Sequence, residues 1–211
     1  MPDIISIDPL DIAPSSIEKA VTILEAGGVV AFPTETFYGL AADAMNEKAV
    51  DRIFEIKGRS FNNPIALIIS REDDLDLLTD NIPAAAKRLM AAFWPGPLTI
   101  VFQASPSVSP RLTAGTGKIG VRISSHPIAH ALATGMGRPI TATSANLSGG
   151  KECTTADEVR GQMANGQFTV IDGGPTPGGR GSTFLDVTLY PPALLREGAI
   201  HGAAIRVALK K

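Results

Sequence analysis

Apolar positions along the chain switch between helical spacing and short continuous runs, and the switches outline alternating helices and strands. Ile17, Ala20, Val21 and Leu24 recur at helical spacing, with Ser15 or Ser16 as the cap. Gly27-Gly28 ends that helix before a buried strand, Val29-Val30-Ala31-Phe32. Asn46 caps a second helix with Ala49, Val50, Ile53 and Ile56 on one side, and Lys57 and Arg59 fall at its end, before Pro64. Ile65 to Ile69 is an unbroken apolar run that predicts a buried strand. Pro83 opens a third helix running through Met90 and Phe93, and Trp94-Pro95-Gly96-Pro97 stops it.

Beyond that stop the pattern shortens. Leu98 to Phe102 and Ile119 to Ile123 read as strands, the second placing Gly120 and Arg122 on the face opposite Ile119, Val121 and Ile123. Pro127 starts a short helix, Pro139 to Thr143 forms a strand, and Thr155 with Glu158 has the spacing of a capping box. Further strands are expected at Phe168 to Ile171, Thr183 to Val187 and Ile205 to Val207. Strands outnumber long helices and several connections are too short for a crossover helix, so an α/β fold with a mixed parallel and antiparallel sheet is predicted. With no internal repeat or linker, residues 1–211 read as a single domain.

Composition narrows the class. A formal charge of −2 is not the footprint of a general nucleic-acid binder, so any basic surface must be local. No run of 18 apolar residues occurs and Met1-Pro2-Asp3 lacks the marks of a secretion signal, which predicts a cytoplasmic protein with no membrane partner. The single cysteine, Cys153, excludes an internal disulfide or a multi-cysteine metal site and reads as a small, inert residue. Acidic residues in Arg71 to Asp76 suit a helix start on a solvated face.

The candidate chemistry lies in Pro33-Thr34-Glu35-Thr36-Phe37-Tyr38-Gly39-Leu40, a polar loop leaving a buried strand, in Lys57-Gly58-Arg59, and in Ser144-Ala145-Asn146. Two fixed cations with a hydroxyl and an amide suit an anionic ligand, although Lys57 and Arg59 also fit a plain role at the negative end of a helix dipole. Gly115 to Gly120 matches GxGxxG but runs into a strand, so no dinucleotide fold follows, and no P-loop is present. His126 and His130 lack a metal-site context and suit a cap or surface role, and Ser144 lacks a nucleophile elbow. Gly173 to Ser182 is either a flexible hairpin loop or an anion-cradling lid edged by Arg180 and Ser182.

Taken together, the PTETFYGL loop, the KxR and SxN triplets, Trp94 to Thr99, Val121-Arg122 with His126-Pro127, Thr143 to Gly149, Gly181 to Thr183 and Leu194 to Gly198 resemble the YrdC-like family of threonylcarbamoyl-AMP synthases. The resemblance spans nearly the whole chain. It implies a twisted open sheet flanked by helices with a concave basic active-site face. It also implies a nucleotidyltransferase that condenses L-threonine, bicarbonate and ATP, with Mg²⁺ accompanying the nucleotide and no metal ligand cluster in the sequence. By the same resemblance, Lys57 and Arg59 carry the catalytic charge, and these two with Lys118, Ser144, Asn146 and Arg196 bind ATP. Thr34, Thr36, Tyr38, Arg122, Ala142 and Ser182 are implied for L-threonine. The product would pass to a tRNA threonylcarbamoyl-transferase complex, with weak tRNA or RNA binding as a further expectation. Ile68, where some relatives carry histidine, and Lys151-Glu152, which replaces a common Pro-Ser, depart from the pattern. The chain is also expected to lack the extra C-terminal domain of two-domain relatives. An RNA-binding module and a carbamoyl-transfer domain on the same fold stand as alternatives.

Overall fold

A computed structural model describes residues 2–58 and 60–210. Arg59 lies outside the described residues.

Eleven strands and seven α-helices are present among the described residues. The first half runs β1 (Asp3–Ser6), α1 (Pro14–Glu25), β2 (Val30–Phe32), β3 (Gly39–Ala41), α2 (Glu47–Lys57), β4 (Leu67–Ile68) and α3 (Ala84–Phe93). The second runs β5 (Leu98–Gln103), α4 (Pro110–Thr113), β6 (Lys118–Arg122), α5 (Pro127–Met136), β7 (Ile140–Thr141), β8 (Thr143–Ser144), α6 (Ala156–Gln162), β9 (Thr169–Asp172), β10 (Thr183–Asp186), β11 (Ala193–Arg196) and α7 (Gly202–Lys210).

Parallel and antiparallel pairings mix as expected, but the strands divide between two sheets. One has the order β1-β9-β2-β3-β8 and the other β11-β10-β5-β6-β4-β7. The predicted strand over Pro139 to Thr143 breaks at Ala142, so that β7 pairs with β4 in one sheet while β8 pairs with β3 in the other. Thr141 stitches the break. Its hydroxyl accepts from the Ala42 amide at 2.8 Å and donates to the Leu40 carbonyl at 3.1 Å.

Two-sided burial explains the continuous apolar runs. Val30 and Phe32 of β2 face a layer formed with Ile17, Ala20 and Leu24 of α1 and Ala129 and Leu132 of α5. Ala31 and Leu40 face the larger core, which also takes Leu67, Ile100, Ile119, Val121 and Leu185 from the other sheet. Ile119, Val121 and Ile123 are buried there as the alternation of β6 predicts.

Several local expectations are corrected. Neither Ser15 nor Ser16 caps α1: Pro14 occupies its first turn after Ala13, which makes no side-chain cap. Asn46 does cap α2, accepting from the amides of Lys48 and Ala49. Thr155 caps α6, but the reciprocal bond moves out by one residue, because Glu158 accepts from the Thr154 amide and hydroxyl. The acidic segment forms a 3-10 turn, Glu72–Leu77, and is not wholly solvated: Asp74 is buried and accepts from Ser70 and Arg71. Ile205 to Val207 belongs to α7, with Ile205 and Ala208 buried at helical spacing and Val207 exposed. Three alternating residues are too few to set a strand period against a run of alanines.

Candidate active site

The loop between β2 and β3 is held by its own hydroxyls. Thr34 Oγ1 donates to the Phe37 carbonyl at 2.7 Å, accepts from the Thr36 amide at 3.2 Å and lies 3.2 Å from Thr36 Oγ1. Tyr38 is fixed at both ends, its amide donating to the Cys153 carbonyl at 2.9 Å and its hydroxyl to the Gly174 carbonyl at 2.7 Å. Burial pushes the Tyr38 phenol up to about 12, so it acts as a neutral anchor.

That anchor bears on the glycine-rich segment 173–181. Besides the Tyr38 bond, the Thr176 amide donates to the Thr154 carbonyl and the Gly178 amide to the Thr36 carbonyl, each at 2.8 Å. Gly174, Gly178 and Gly179 take positive φ, which glycine adopts without strain. The segment is therefore docked at two points on the β2–β3 loop and at a third on Thr154, ahead of α6.

Residues from both sheets meet around one open-mouthed cavity of about 160 Å³. It is lined by Thr34, Thr36 and Tyr38 from the loop, Arg122 at the end of β6, Ala142 and Ser144 at the sheet break, Ser182, and Arg196 at the end of β11. Phe184, which lines the cavity, packs closely on Gly120: a Cβ there would meet Thr99 Cγ2 at 3.1 Å and the Phe184 ring at 3.4 Å. Arg196 stacks on Phe184, 4.5 Å from the ring centroid, and donates from Nη2 to the Ser182 carbonyl at 2.8 Å. Ser182 Oγ in turn accepts from Thr99 Oγ1 at 3.0 Å. Burial, with Arg122 adding to it, lowers the Arg196 pKa against the opposing pull of Glu152, a cost that a bound anion would relieve.

Lys57 is placed differently from what its charge suggests. It is buried, and its ammonium donates to the carbonyls of Ser144 and Asn146 and to Asn146 Oδ1, the last at 3.2 Å. Ser144 Oγ donates to Asn146 Oδ1 and the Asn146 side-chain amide to the Gly150 carbonyl, each at 2.6 Å. The lysine thus braces the Ser144 to Asn146 turn from behind, and neither it nor Asn146 lines the cavity. Lys118 stands apart as well. Four residues up β6 from Arg122, hence roughly 13 Å along the strand, it is paired with Asp186 at 2.8 Å and one-third exposed.

Some contributors carried no sequence signal. Phe184 and Glu152 line the cavity, as does Ala66, the residue just ahead of β4. Glu152 occupies one of the two positions where the chain departs from the family pattern. Cys153 behind it is buried, which pushes its thiol up to about 11 and leaves it inert at neutral pH. His126 caps α5, accepting at Nδ1 from the Ile128 amide at 3.3 Å, and burial lowers its pKa, in keeping with a neutral cap.

A polar cavity with one buried and one exposed guanidinium group and hydroxyls at its walls defines a site for small anionic substrates. A family model for the Sua5, YciO and YrdC proteins, described as telomere recombination, matches residues 22–198. The chain belongs to this family. It is 43% identical over 203 residues to the threonylcarbamoyl-AMP synthase of Bacillus subtilis, covering 96% of this chain and 59% of that protein. The crystal structure of Pyrococcus abyssi Sua5 complexed with L-threonine superimposes with a TM-score of 0.94 at 41% identity, over 97% of this chain and 60% of that one. Escherichia coli YciO superimposes with a TM-score of 0.88 at 28% identity, over 97% of this chain and all of that one. The chain thus spans about three-fifths of the length of the first two proteins.

Proposed function

We propose that this chain catalyses the synthesis of threonylcarbamoyl-AMP from L-threonine, bicarbonate and ATP, acting as a nucleotidyltransferase. The observation that carries the reading is the convergence of Thr34, Arg122, Ser144, Ser182 and Arg196, from five separate segments, on one cavity. The names of its relatives supply the substrates.

In this reading Arg122 takes the amino-acid carboxylate on its two terminal nitrogens, and the hydroxyls of Thr34 and Ser182 border the same cavity. The threonine nitrogen bonds to the bicarbonate carbon, giving up a proton as hydroxide leaves as water. The resulting N-carboxylate oxygen then attacks the α-phosphorus of ATP, and the bond to pyrophosphate breaks. Neither step needs a covalent nucleophile from the protein. Two unit charges 4 Å apart repel by about 4 kcal/mol at an effective dielectric constant near 20, so gathering three anionic reactants requires fixed cations. Arg196 and Arg59 serve the nucleotide phosphates, Ser144 the nucleotide itself, and Lys57 acts through the Ser144 to Asn146 turn.

Mg²⁺ would accompany the ATP phosphates; among the described residues no three His, Cys, Asp or Glu side chains group into a metal site. ATP as substrate and tRNA as the destination place this work in the cytoplasm, with the product passing to a tRNA-modifying transferase. Among the described residues no helix is long and apolar enough to cross a membrane.

The test is pyrophosphate release by the purified protein. It is expected only when ATP, L-threonine and bicarbonate are all present. Equal release with any amino acid would overturn the threonine assignment, and no release under any condition would overturn the synthase reading.

A further inference from the structure

We propose that Glu35 is a positioning residue for the carboxylate clamp: it holds the Arg122 guanidinium by its Nε side and so aims the two terminal nitrogens into the cavity. The proposal rests on the reading of Arg122 as the grip on the substrate carboxylate. Glu35 sits in the β2–β3 loop, which belongs to the five-stranded sheet, whereas Arg122 ends β6 of the six-stranded one. Their contact therefore fixes one sheet against the other at the cavity.

Both side chains are nearly out of reach of water, 11% and 8% exposed, and Nε of Arg122 lies 3.6 Å from Oε1 of Glu35. That distance is too long for a hydrogen bond. Both atoms are fully buried and neither has a hydrogen-bond partner. A buried donor and a buried acceptor left unmade are each costly, and here they face one another. The carboxylate is not free to turn away: its other oxygen takes the Ser124 hydroxyl, and that hydroxyl also accepts from the His126 amide at 3.2 Å. Ser124 follows Arg122 by two residues, so one short segment supplies both the guanidinium and the group that sets its counter-ion.

Among the described residues none accepts a hydrogen bond from the terminal nitrogens of Arg122, while Arg122 does line the cavity. Glu35 does not line it and must act through the arginine. A counter-charge beside a substrate-binding cation weakens plain attraction, so its presence here serves orientation. When a carboxylate engages the terminal nitrogens, a small shift of the guanidinium closes the gap to Glu35, in the way that site hydrogen bonds tighten on substrate binding. The guanidinium then bridges two carboxylates, one from the protein and one from the substrate.

The experiment titrates L-threonine, and separately ATP, into the wild-type protein and the variants Glu35→Gln, Ser124→Ala, Arg122→Lys and the Glu35→Gln, Arg122→Lys double variant, by calorimetry. Glu35→Gln is expected to weaken threonine binding about tenfold, as for a lost hydrogen bond to a charged group, and to leave ATP binding unchanged. In the Arg122→Lys background the same substitution should add less than about twofold, because the two residues act as one unit. The Arg122 Nε–H resonance should shift on adding threonine to the wild type and stay in place in Glu35→Gln. Ser124→Ala, with the carboxylate retained, should weaken threonine about threefold, which keeps the idea testable if Glu35→Gln folds poorly. Threonine binding that Arg122→Lys weakens and Glu35→Gln spares overturns the positioning role alone. A wild-type protein that binds no threonine overturns the substrate reading, and this proposal with it.

Discussion

At Lys57 the chain buries a positive charge and spends its donors on oxygens of a turn 87 and 89 residues away. That placement changes what its removal should do. Lys57→Met would leave the Asn146 carbonyl without its donor, while the Ser144 carbonyl keeps the Asn146 amide and Asn146 Oδ1 keeps the Ser144 hydroxyl, at about 1–3 kcal/mol for a buried group left unmade. The expected result is an apparent melting temperature lower by roughly 4–10 °C, together with turnover reduced by at least about 100-fold through loss of the turn that carries Ser144. Calorimetry and the pyrophosphate assay read the two effects, and a variant active at its wild-type melting temperature would contradict the assignment. The sequence shows that a cation ends a helix here. It cannot show where the ammonium points, because that is decided by a turn distant in the chain. Arg122, by contrast, was legible: strict alternation in β6 put it opposite the core, and the cavity lies there. Glu35 escaped because a lone carboxylate in a polar loop has no periodicity to betray burial.

Elements with strong punctuation were the readable ones. Asn46 in front of α2 and Pro127 at the start of α5 act through local backbone groups, so their signal needs nothing from the rest of the fold. Removing the first signal should cost correspondingly little. Asn46→Ala is expected to lose about 1 kcal/mol, a melting temperature lower by roughly 2–4 °C, with threonine affinity intact because Ala49, Val50 and Ile53 still seat the helix. A collapse of activity without unfolding would show that α2 is held by its cap and not by its packing. Edge strands were the unreadable elements. β1 and β11 pair on one side only, and their residues are mostly exposed, so neither carries an apolar pattern that a sequence reader could detect.

Across the whole molecule, the cavity exists because the chain crosses from one sheet to the other at Ala142, and no pattern in Pro139 to Thr143 marks the crossing. Thr141 links the two sides, since its hydroxyl, carried by β7 of one sheet, makes two bonds to Leu40 of β3 and the adjoining Ala42 of the other. Thr141→Val keeps the shape and removes both bonds, leaving the Ala42 amide without its acceptor. It should cost about 1–3 kcal/mol and raise the threonine dissociation constant, since Arg122 and the β2–β3 loop approach the ligand from different sheets. Titration beside a melting curve checks both, and unaltered binding would mean that the two sheets keep their register without this stitch. The central claim, that one cavity joins an amino acid, bicarbonate and a nucleotide, is tested most directly by isotope. The purified protein is given ATP, L-threonine and ¹³C-bicarbonate, and the nucleotide products are weighed by mass spectrometry. The account predicts a new adenylate carrying threonine and the labelled carbon; an adenylate without the label, or no new adenylate at all, would contradict it.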